Sequence, residues 1–453
     1  MSAKSYHFIA IGGAVMHQLA LHLHNMGHHI TGSDDAIYDP AYTNLQRHGI
    51  LPETFGWHED RVHTGLDAVI LGMHARQDNP ELQKALALGI RVYSFPEFIF
   101  EQSRNKTRVV VAGSHGKTTT TSMIMHVLRV AGKDFDYLVG AQIEGFDYVV
   151  RSSENAPVII IEGDEYLTSP LDLRSKFLHY RPDYAIITGI AWDHINVFPT
   201  FEGYVDTFRK FADSVSKKIY YYAPDTELTA LAQESRAAVM QPYNSLQTIE
   251  EQGQLYAVDQ GRQYPVHIFG AHNMANMAAA LHICMDLGLS AEEFFSHIVS
   301  FKGAAKRMEL IKDDTEHHVT LYRDFAHAPS KVRATVDAVR KRYPGRKLIT
   351  ALELHTFSSL QTDFIAQYKD SLDGSDAAAV FIDAEALKQK NRAPIDPGWL
   401  KSCFGHPAPE IPQDKAALES WLKDQITDNS VVLLMSSGHW AGMDIKKLYG
   451  TAI

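Results

Sequence analysis

The chain of 453 residues is too long for one hydrophobic core, and a domain size of about 100 to 200 residues predicts roughly three domains. Hydrophobic residues at 45% and charged residues at 21% exclude the disordered and fibrous classes. A formal net charge of −11 leaves no basic field to neutralise a nucleic acid, so none is expected as a partner, while a small phosphorylated ligand can still be held by glycine amides and one lysine.

Two cysteines, Cys284 and Cys403, do not make a disulfide framework and point to a reducing compartment. The start, Met1 to His7, has no cleavable apolar segment, and no uninterrupted apolar span of about 18 residues follows. No membrane partner and a cytoplasmic location are therefore expected; no feature assigns an oligomeric state.

Phe8-Ile9-Ala10-Ile11, the pair Gly12-Gly13, an apolar-periodic segment through Leu19, Leu23 and Met26, and the run His29 to Asp34 predict a βαβ opening. Gly12, Gly13, Ala14 and Met16 make only a degraded dinucleotide fingerprint, with Ala10 and Val15 where glycines are expected. The turn suits a diphosphate at a helix start, and Asp34 is placed for a ribose hydroxyl. A strand at Ala68 to Gly72, a helix from Pro80 to Leu88 and a strand at Arg91 to Tyr93 continue the alternation, so a doubly wound parallel sheet is predicted. The polar run Glu101 to Lys106 closes a first domain, 1–104.

The second domain, 105–300, opens with the strand Arg108 to Ala112, then Gly113-Ser114-His115-Gly116-Lys117-Thr118-Thr119-Thr120, then a helix through Met123, Val127 and Leu128. This is a phosphate-binding loop: glycines let backbone N–H groups approach phosphates, lysine reaches the outer ones, and a hydroxyl can sit on Mg²⁺. Val111 departs from the strict spacing, and the plain alternative is a strand-to-helix turn that happens to contain Gly-Lys-Thr.

Strands at Val158 to Glu162 and Tyr184 to Thr188 end in Glu162-Gly163-Asp164-Glu165 and, a few residues on, Asp193-His194. A hard metal beside a triphosphate wants such oxygens, although an acidic helix start gives the same pattern. His272, Asn273 and Asn276 open a small-residue helix, with amides suited to adenine or, for Asn273, to a plain helix cap.

The third domain, 301–453, shows Val319 to Tyr322, a helix from Lys331 to Arg342, and strands at Lys347 to Leu352, Ala379 to Ile382 and Ser430 to Met435. Asp324 to Pro329 places an acid and a histidine on a loop after the first of these strands.

In order, His115 to Thr118, Glu162 to Glu165, Asp193-His194, His272-Asn273 with Asn276, Arg307-Met308-Glu309 and Asp324 to Pro329 resemble the motifs of the Mur ligase family, from Phe8 to about Leu448. The resemblance implies an N-terminal Rossmann-like domain for a UDP sugar, a central P-loop ATPase-type α/β domain, and a C-terminal Rossmann-like domain that brings an amine. It implies an ATP-dependent amide-bond ligase, with the muramoyl carboxylate taking the γ-phosphate and an amine displacing it from the acyl phosphate.

By position, Gly12, Gly13, Ala14, Met16, Ser33, Asp34 and His74 would line the UDP-sugar site, and Gly113 through Thr119 the ATP phosphates. Lys117, Glu162, His194 and Arg307 would be catalytic, with Mg²⁺ on Thr118, Glu162 and His194. Asn273 and Asn276 would meet adenine, Arg307 the γ-phosphate, and Asp324 with His327 the closed ATP site. Within the family, Gly32 to Pro40 and Arg174 to Tyr180 resemble the branch that joins UDP-N-acetylmuramate to L-alanyl-γ-D-glutamyl-meso-diaminopimelate; the branch using L-alanine is the alternative.

Departures are Arg323 in place of a common acid, Ala328 for a second histidine, and His355 for an expected arginine in Leu352 to Phe357. Arg209 occupies the position of a lysine that some members carbamylate, so that modification is not expected. These departures motivate a second class of reading, a nucleotide-binding regulator that no longer ligates. A Rossmann oxidoreductase is a third, opposed by the intact Gly-Lys-Thr.

Overall fold

The computed structural model describes residues 3–73, 75–169, 171–192, 197–235, 239–251, 254–303 and 307–448; the expected site residues His74 and His194, with Asp193, lie outside them. The chain forms two compact units, Met1–Asn244 with Ala275–Ile298, and Ser245–Met274 with Val299–Ile453.

The first unit opens with a wholly parallel sheet of β1 (Ser5–Ile9), β2 (His29–Ser33), β3 (Ala68–Leu71) and β4 (Val92–Ser94), ordered β2-β1-β3-β4. Phe8, Ile9, Val69 and Ile70 are buried, as strands covered on both faces require. Around the sheet run α1 (Met16–Asn25), α2 (Ala41–Arg47), α3 (Pro80–Ala87) and α4 (Phe95–Gln102). Local chemistry starts the last two: the Asn79 side chain accepts the Leu82 N–H ahead of Pro80, and Ser94 with Glu97 forms a capping box.

The same unit carries β5 (Thr107–Ala112), β6 (Asp136–Leu138), β7 (Val150–Arg151), β8 (Val158–Glu162), a hairpin of β9 (Leu167–Ser169) and β10 (Asp172–Ser175), then β11 (Tyr184–Ile187), β12 (Lys218–Tyr222) and β13 (Val239–Tyr243). Seven of these strands form a sheet ordered β13-β12-β11-β5-β8-β6-β7, parallel except for β7. It is packed by α5 (Lys117–Val130), α6 (Phe201–Asp213), α7 (Thr226–Glu234), the residues from Ala275 on of α8 (Ala271–Asp286), and α9 (Ala291–Ile298). Phe177, Phe208 and Phe211 form an aromatic centre, the rings of Phe177 and Phe211 stacked at 4.5 Å.

The second unit holds an antiparallel sheet of β14 (Gln247–Glu251), β15 (Gln254–Asp259) and β16 (Arg262–Val266), and a five-stranded sheet of β17 (Glu309–Asp314), β18 (Val319–Asp324), β19 (Lys347–Glu353), β20 (Ala377–Phe381) and β21 (Ser430–Ser436). The larger sheet runs β17-β18-β21-β19-β20 and is parallel except for β17. The small sheet falls within the stretch expected to be the central domain, yet groups here. Glu250 pairs with Arg342 at the end of α10 (Pro329–Arg342) at 2.5 Å, and Phe269 meets the rings of Tyr322 and Tyr343 edge-on. No described helix is long and apolar enough to cross a membrane.

Beneath the first sheet Glu81 is fully buried and accepts hydrogen bonds from Ser33 Oγ at 2.5 Å and His58 N at 2.7 Å, with His7 Nε2 at 3.2 Å. Burial pushes its carboxyl up, but these partners outweigh it and hold the pKa below the usual glutamate value of 4.5. A depressed folded-state value means this stability is present above the unfolded pKa and lost as pH falls through the folded one. Glu81→Ala should cost about 3 kcal/mol by removing the acceptor of three groups, the buried His7 and Ser33 side chains and the half-buried His58 amide. In thermal melts taken from pH 7 down to below 4, Glu81→Gln should show a shallower acid loss than wild type; parallel curves would contradict this.

Candidate active site

The site is built where β5, β8 and β11 end side by side, the edge at which open α/β sheets bind ligands. After β5 the backbone turns through Gly113 at φ 123° and Gly116 at φ 79° before α5 begins at Lys117. A Cβ on Gly113 would collide with the Thr188 hydroxyl, and one on Gly116 with the Asn276 amide oxygen, so glycine is required by space as well as by φ. Asn276, buried on α8, is thereby brought to the loop.

Behind the loop lies a polar chain: Ala191 N donates to Ser114 Oγ at 2.8 Å, Ser114 Oγ lies 2.8 Å from Tyr204 OH, and Tyr204 OH donates to Glu165 Oε1 at 3.3 Å. Lys117 Nζ donates to Glu165 Oε2 at 2.7 Å and to Gly113 O at 2.6 Å. Burial pulls the Lys117 ammonium down, but Glu165, and then Asp164 and Glu162, outweigh it and hold the pKa above the usual lysine value. The loop thus presents a fixed cation.

Thr118 Oγ1 donates to Glu162 Oε1 at 2.8 Å, while Gly140 N donates to Glu162 Oε2 at 2.8 Å. Two hard oxygen donors on adjoining elements are the set that suits Mg²⁺. A cavity of about 510 Å³ opens in front, with Gly13, Ala14, Met16 and Asp34 on one wall and Lys117, Glu162, Asp164, Lys176 and Tyr180 on the other. The structure therefore brings the glycine turn of the first sheet to the phosphate loop of the second. Lys176, whose Nζ donates to Asp164 Oδ2 at 2.6 Å, opens the 3-10 turn after β10, Lys176–His179, and Tyr180 closes it. Neither was expected in the site, nor was Tyr204.

Two residues expected at the UDP sugar already have hydrogen-bond partners within the protein. Ser33 is buried, with its hydroxyl given to Glu81 and approached by Arg61 at 2.7 Å. Asp34 reaches the cavity wall but turns its carboxylate back to accept Gly12 N at 2.8 Å and Asp35 N at 2.9 Å. Burial raises its pKa against those two bonds.

In the second unit Asp324 is buried and accepts Met308 N and Ala326 N, each at 2.7 Å, tying the Arg307 segment to the loop after β18. Arg307 lies over the Phe325 ring at 4.5 Å, and His327 Nδ1 is 2.8 Å from Phe325 O. Asn273 donates to Phe269 O at 2.8 Å, and burial lowers the His272 pKa against the opposing charge of Asp324. Arg307, Asp324 and His327 are thus brought together.

The departures have structural counterparts. Arg323 grips Glu309 across β17 and β18 at 2.6 Å, and Ala328 sits at the start of α10 in extended backbone. Arg209 pairs with Asp206 and Glu234. His355 follows β19; burial lowers its pKa, helped by Lys390, and its Nδ1 is buried without a hydrogen-bond partner. Beside it Glu353 is buried and accepts the Trp440 N–H at 3.1 Å.

A phosphate loop on one parallel sheet facing the glycine turn of another places the protein among doubly wound α/β proteins built around nucleotides. Three family models match in chain order: Mur ligase family, catalytic domain over residues 5–107; Mur ligase middle domain over 111–284; and Mur ligase, glutamate ligase domain over 306–438. The chain is 32% identical over 379 residues to the UDP-N-acetylmuramate–L-alanine ligase of Levilactobacillus brevis, covering 80% of each. Among solved structures it is similar to the UDP-N-acetylmuramate:L-alanyl-γ-D-glutamyl-meso-diaminopimelate ligase from Neisseria meningitides, with TM-score 0.59 and 26% identity over 66% of this chain and 99% of that one. It is also similar to the UDP-N-acetylmuramate–alanine ligase from Thermotoga maritima, with TM-score 0.70 and 20% identity over 96% of each. The chain belongs to the Mur ligase family, and with it to the ATP-dependent ligases that form amide C–N bonds.

Because Glu165 is fully buried and Lys117 only 16% exposed, their pair is structural even without nucleotide. Lys117→Met should lower the stability of the ligand-free protein by about 3 kcal/mol, since it strands a buried carboxylate. Lys117→Met/Glu165→Gln should recover most of that loss in denaturant titrations. Equal stability of the single variant and wild type would show that the pair contributes nothing.

Proposed function

We propose that the protein joins the carboxylate of UDP-N-acetylmuramate to the amine of L-alanyl-γ-D-glutamyl-meso-diaminopimelate, at the expense of ATP, in the cytoplasm and in the recovery of cell-wall peptide. The observation that carries this reading is the placement of the segment Arg174 to Tyr180: the stretch that sets the resemblance to the peptide-adding branch supplies Lys176 and Tyr180 to the cavity wall. The structural likeness to the Neisseria enzyme supports the same amine. L-alanine is the second reading, and the 32% identity to the Levilactobacillus enzyme favours it.

In this reading Gly113 to Thr119 cradle the ATP phosphates, with Asn276 beside the loop and Asn273 toward adenine. Lys117 neutralises charge on the transferring phosphoryl group, and Arg307, whose segment Asp324 fixes, is assigned to the γ-phosphate together with His327 by the family resemblance. Thr118 and Glu162, joined by His194, would hold Mg²⁺, which supplies charge neutralisation at the phosphates when bound. Gly12, Gly13, Ala14 and Met16 take the diphosphate of the sugar nucleotide, and His74 is assigned to the same ligand by the resemblance alone.

The muramoyl carboxylate oxygen attacks the γ-phosphorus and ADP leaves. The amine then attacks the acyl carbon, loses a proton and expels phosphate. Phosphoryl transfer gives side chains little covalent work, so positioning and fixed charge dominate. Lys176 is placed to meet an anionic group of the sugar nucleotide.

Phosphate release with Mg-ATP and UDP-N-acetylmuramate should require the tripeptide and be absent with L-alanine or L-alanyl-γ-D-glutamate. Turnover with L-alanine alone moves the protein to the second reading. Lys176→Ala should raise KM for UDP-N-acetylmuramate about tenfold, equivalent to about 1.4 kcal/mol, as a lost charge-assisted contact does; an unchanged KM would remove Lys176 from that role.

A further inference from the structure

A second cavity, of about 240 Å³, lies in the first unit where α4 meets the turn after β10. Its rim carries the guanidinium groups of Arg91, Arg104, Arg174 and Arg181, and its walls include the rings of Tyr93 and Phe100. For a protein of net charge −11 this is a concentrated positive spot. Arg104 is paired with Glu101 at 2.5 Å and Arg174 with Asp172 at 2.6 Å. Arg91 and Arg181 have no carboxylate partner among the described residues; they lie over Tyr93 at 4.8 Å and Phe100 at 5.2 Å.

His179, 7% exposed, also lines this cavity, and its Nε2 has no hydrogen-bond partner, lying 3.2 Å from Asp172 Oδ2 but out of line for one. With Glu97 and Asp172 it has donor atoms within 4.8 Å of one another, a spacing that also suits a cation. Arg174 decides between the two charges. It already grips both Asp172 oxygens, with Nε at 2.9 and 3.1 Å and Nη2 at 2.6 Å, and four guanidinium groups against Glu97, Glu101 and Asp172 leave one net positive charge. The seam repels a metal ion and attracts an anion.

The two cavities share their walls. Phe95 and Pro96 of α4 line the large cavity while Glu97, Phe100 and Glu101 of the same helix line the small one. Likewise Lys176 and Tyr180 face the large cavity, and Leu178, His179 and Arg181 the small one. We propose that this arginine-rimmed seam binds a small phosphate-bearing anion, and that its occupancy is transmitted to the active-site cavity through α4 and the Lys176–His179 turn. Guanidinium forks suit phosphate oxygens, and the edges of Tyr93 and Phe100, whose faces the arginines cover, border an organic body attached to the phosphate.

The test is calorimetric titration of the full chain with inorganic phosphate and, separately, with glucose 6-phosphate, the loop being kept occupied by magnesium and a non-hydrolysable ATP analogue. One site per chain is expected, weakened at least tenfold in Arg91→Ala/Arg181→Ala and tightened severalfold in Glu101→Gln, which releases Arg104. Tighter glucose 6-phosphate would identify an organic phosphate as the ligand class, and tighter inorganic phosphate the bare anion. The opposite sign of the Glu101→Gln effect separates binding from a folding defect, and melting curves check the double variant. No binding to wild type, or equal affinity in all three proteins, overturns the proposal. Transmission to the active-site cavity is tested by the KM for UDP-N-acetylmuramate with the seam saturated, where a change of at least twofold is expected in wild type and none in Arg91→Ala/Arg181→Ala, and an unchanged wild-type KM overturns it; that readout rests on the proposed function and the binding measurement does not, so the two fail separately.

Discussion

The active-site half of the molecule depends on the ion pair of Lys117 with Glu165. Lys117 is the first residue of α5 and Glu165 stands three residues beyond β8, so the pair ties the start of a helix to the end of a neighbouring parallel strand. Tyr204 on α6 and Ser114 in the loop close the remaining side. The side chain proposed to meet phosphate is thus also an internal support, and the pair keeps its ammonium charged and held in place in the ligand-free protein. Preorganisation of this kind removes reorganisation from the chemical step.

Charge bookkeeping around that pair bears on what can bind. Asp34, Glu162, Asp164 and Glu165 oppose Lys117 and Lys176, leaving two net negative charges around a cavity proposed to take a nucleotide and a sugar nucleotide. A polyphosphate does not enter such a field alone. The hydroxyl of Thr118 against the Glu162 carboxylate offers a divalent cation a place at the point where the sign must be reversed. The acids that look excessive in the sequence are therefore intelligible as one partner for the lysine and one for a cation, with Asp164 holding Lys176.

The parts legible in the sequence were those written in consecutive residues. The run Val109 to Ala112, the glycines, Gly-Lys-Thr and the helix after them follow one another, so strand, loop and helix could be placed from local chemistry. Tyr204 is far from the loop in the chain and looks like any core aromatic; only the fold puts its hydroxyl between Ser114 and Glu165. Asp34 was legible as a position on the cavity wall, whereas the bond its carboxylate accepts from the Gly12 amide was not. The partner of Ser33 was hidden for a related reason: Glu81 beneath the sheet needs donors, and the strand-end hydroxyl is one of them. The β14 to β16 sheet was missed since its polar alternation is that of an exposed, two-sided sheet with weak apolar patterning.

The same distinction bears on the residues that depart from the family pattern. Arg323 replaces an acid, yet its guanidinium is held by Glu309 on the adjacent antiparallel strand, so the substitution is absorbed by a local pair and leaves the neighbouring Asp324 free to organise Arg307 and the loop to His327. His355 is different in kind. It sits at the end of β19, beside the buried Glu353, with burial and Lys390 both favouring the neutral ring and Nδ1 lacking a partner. A neutral imidazole holds a carboxylate less firmly than a guanidinium does. The change at Arg323 is thus compensated within the fold by a local pair, whereas the change at His355 leaves a neutral ring with a buried, unpartnered nitrogen, and under the proposed function it is there that the choice of amine is open to variation.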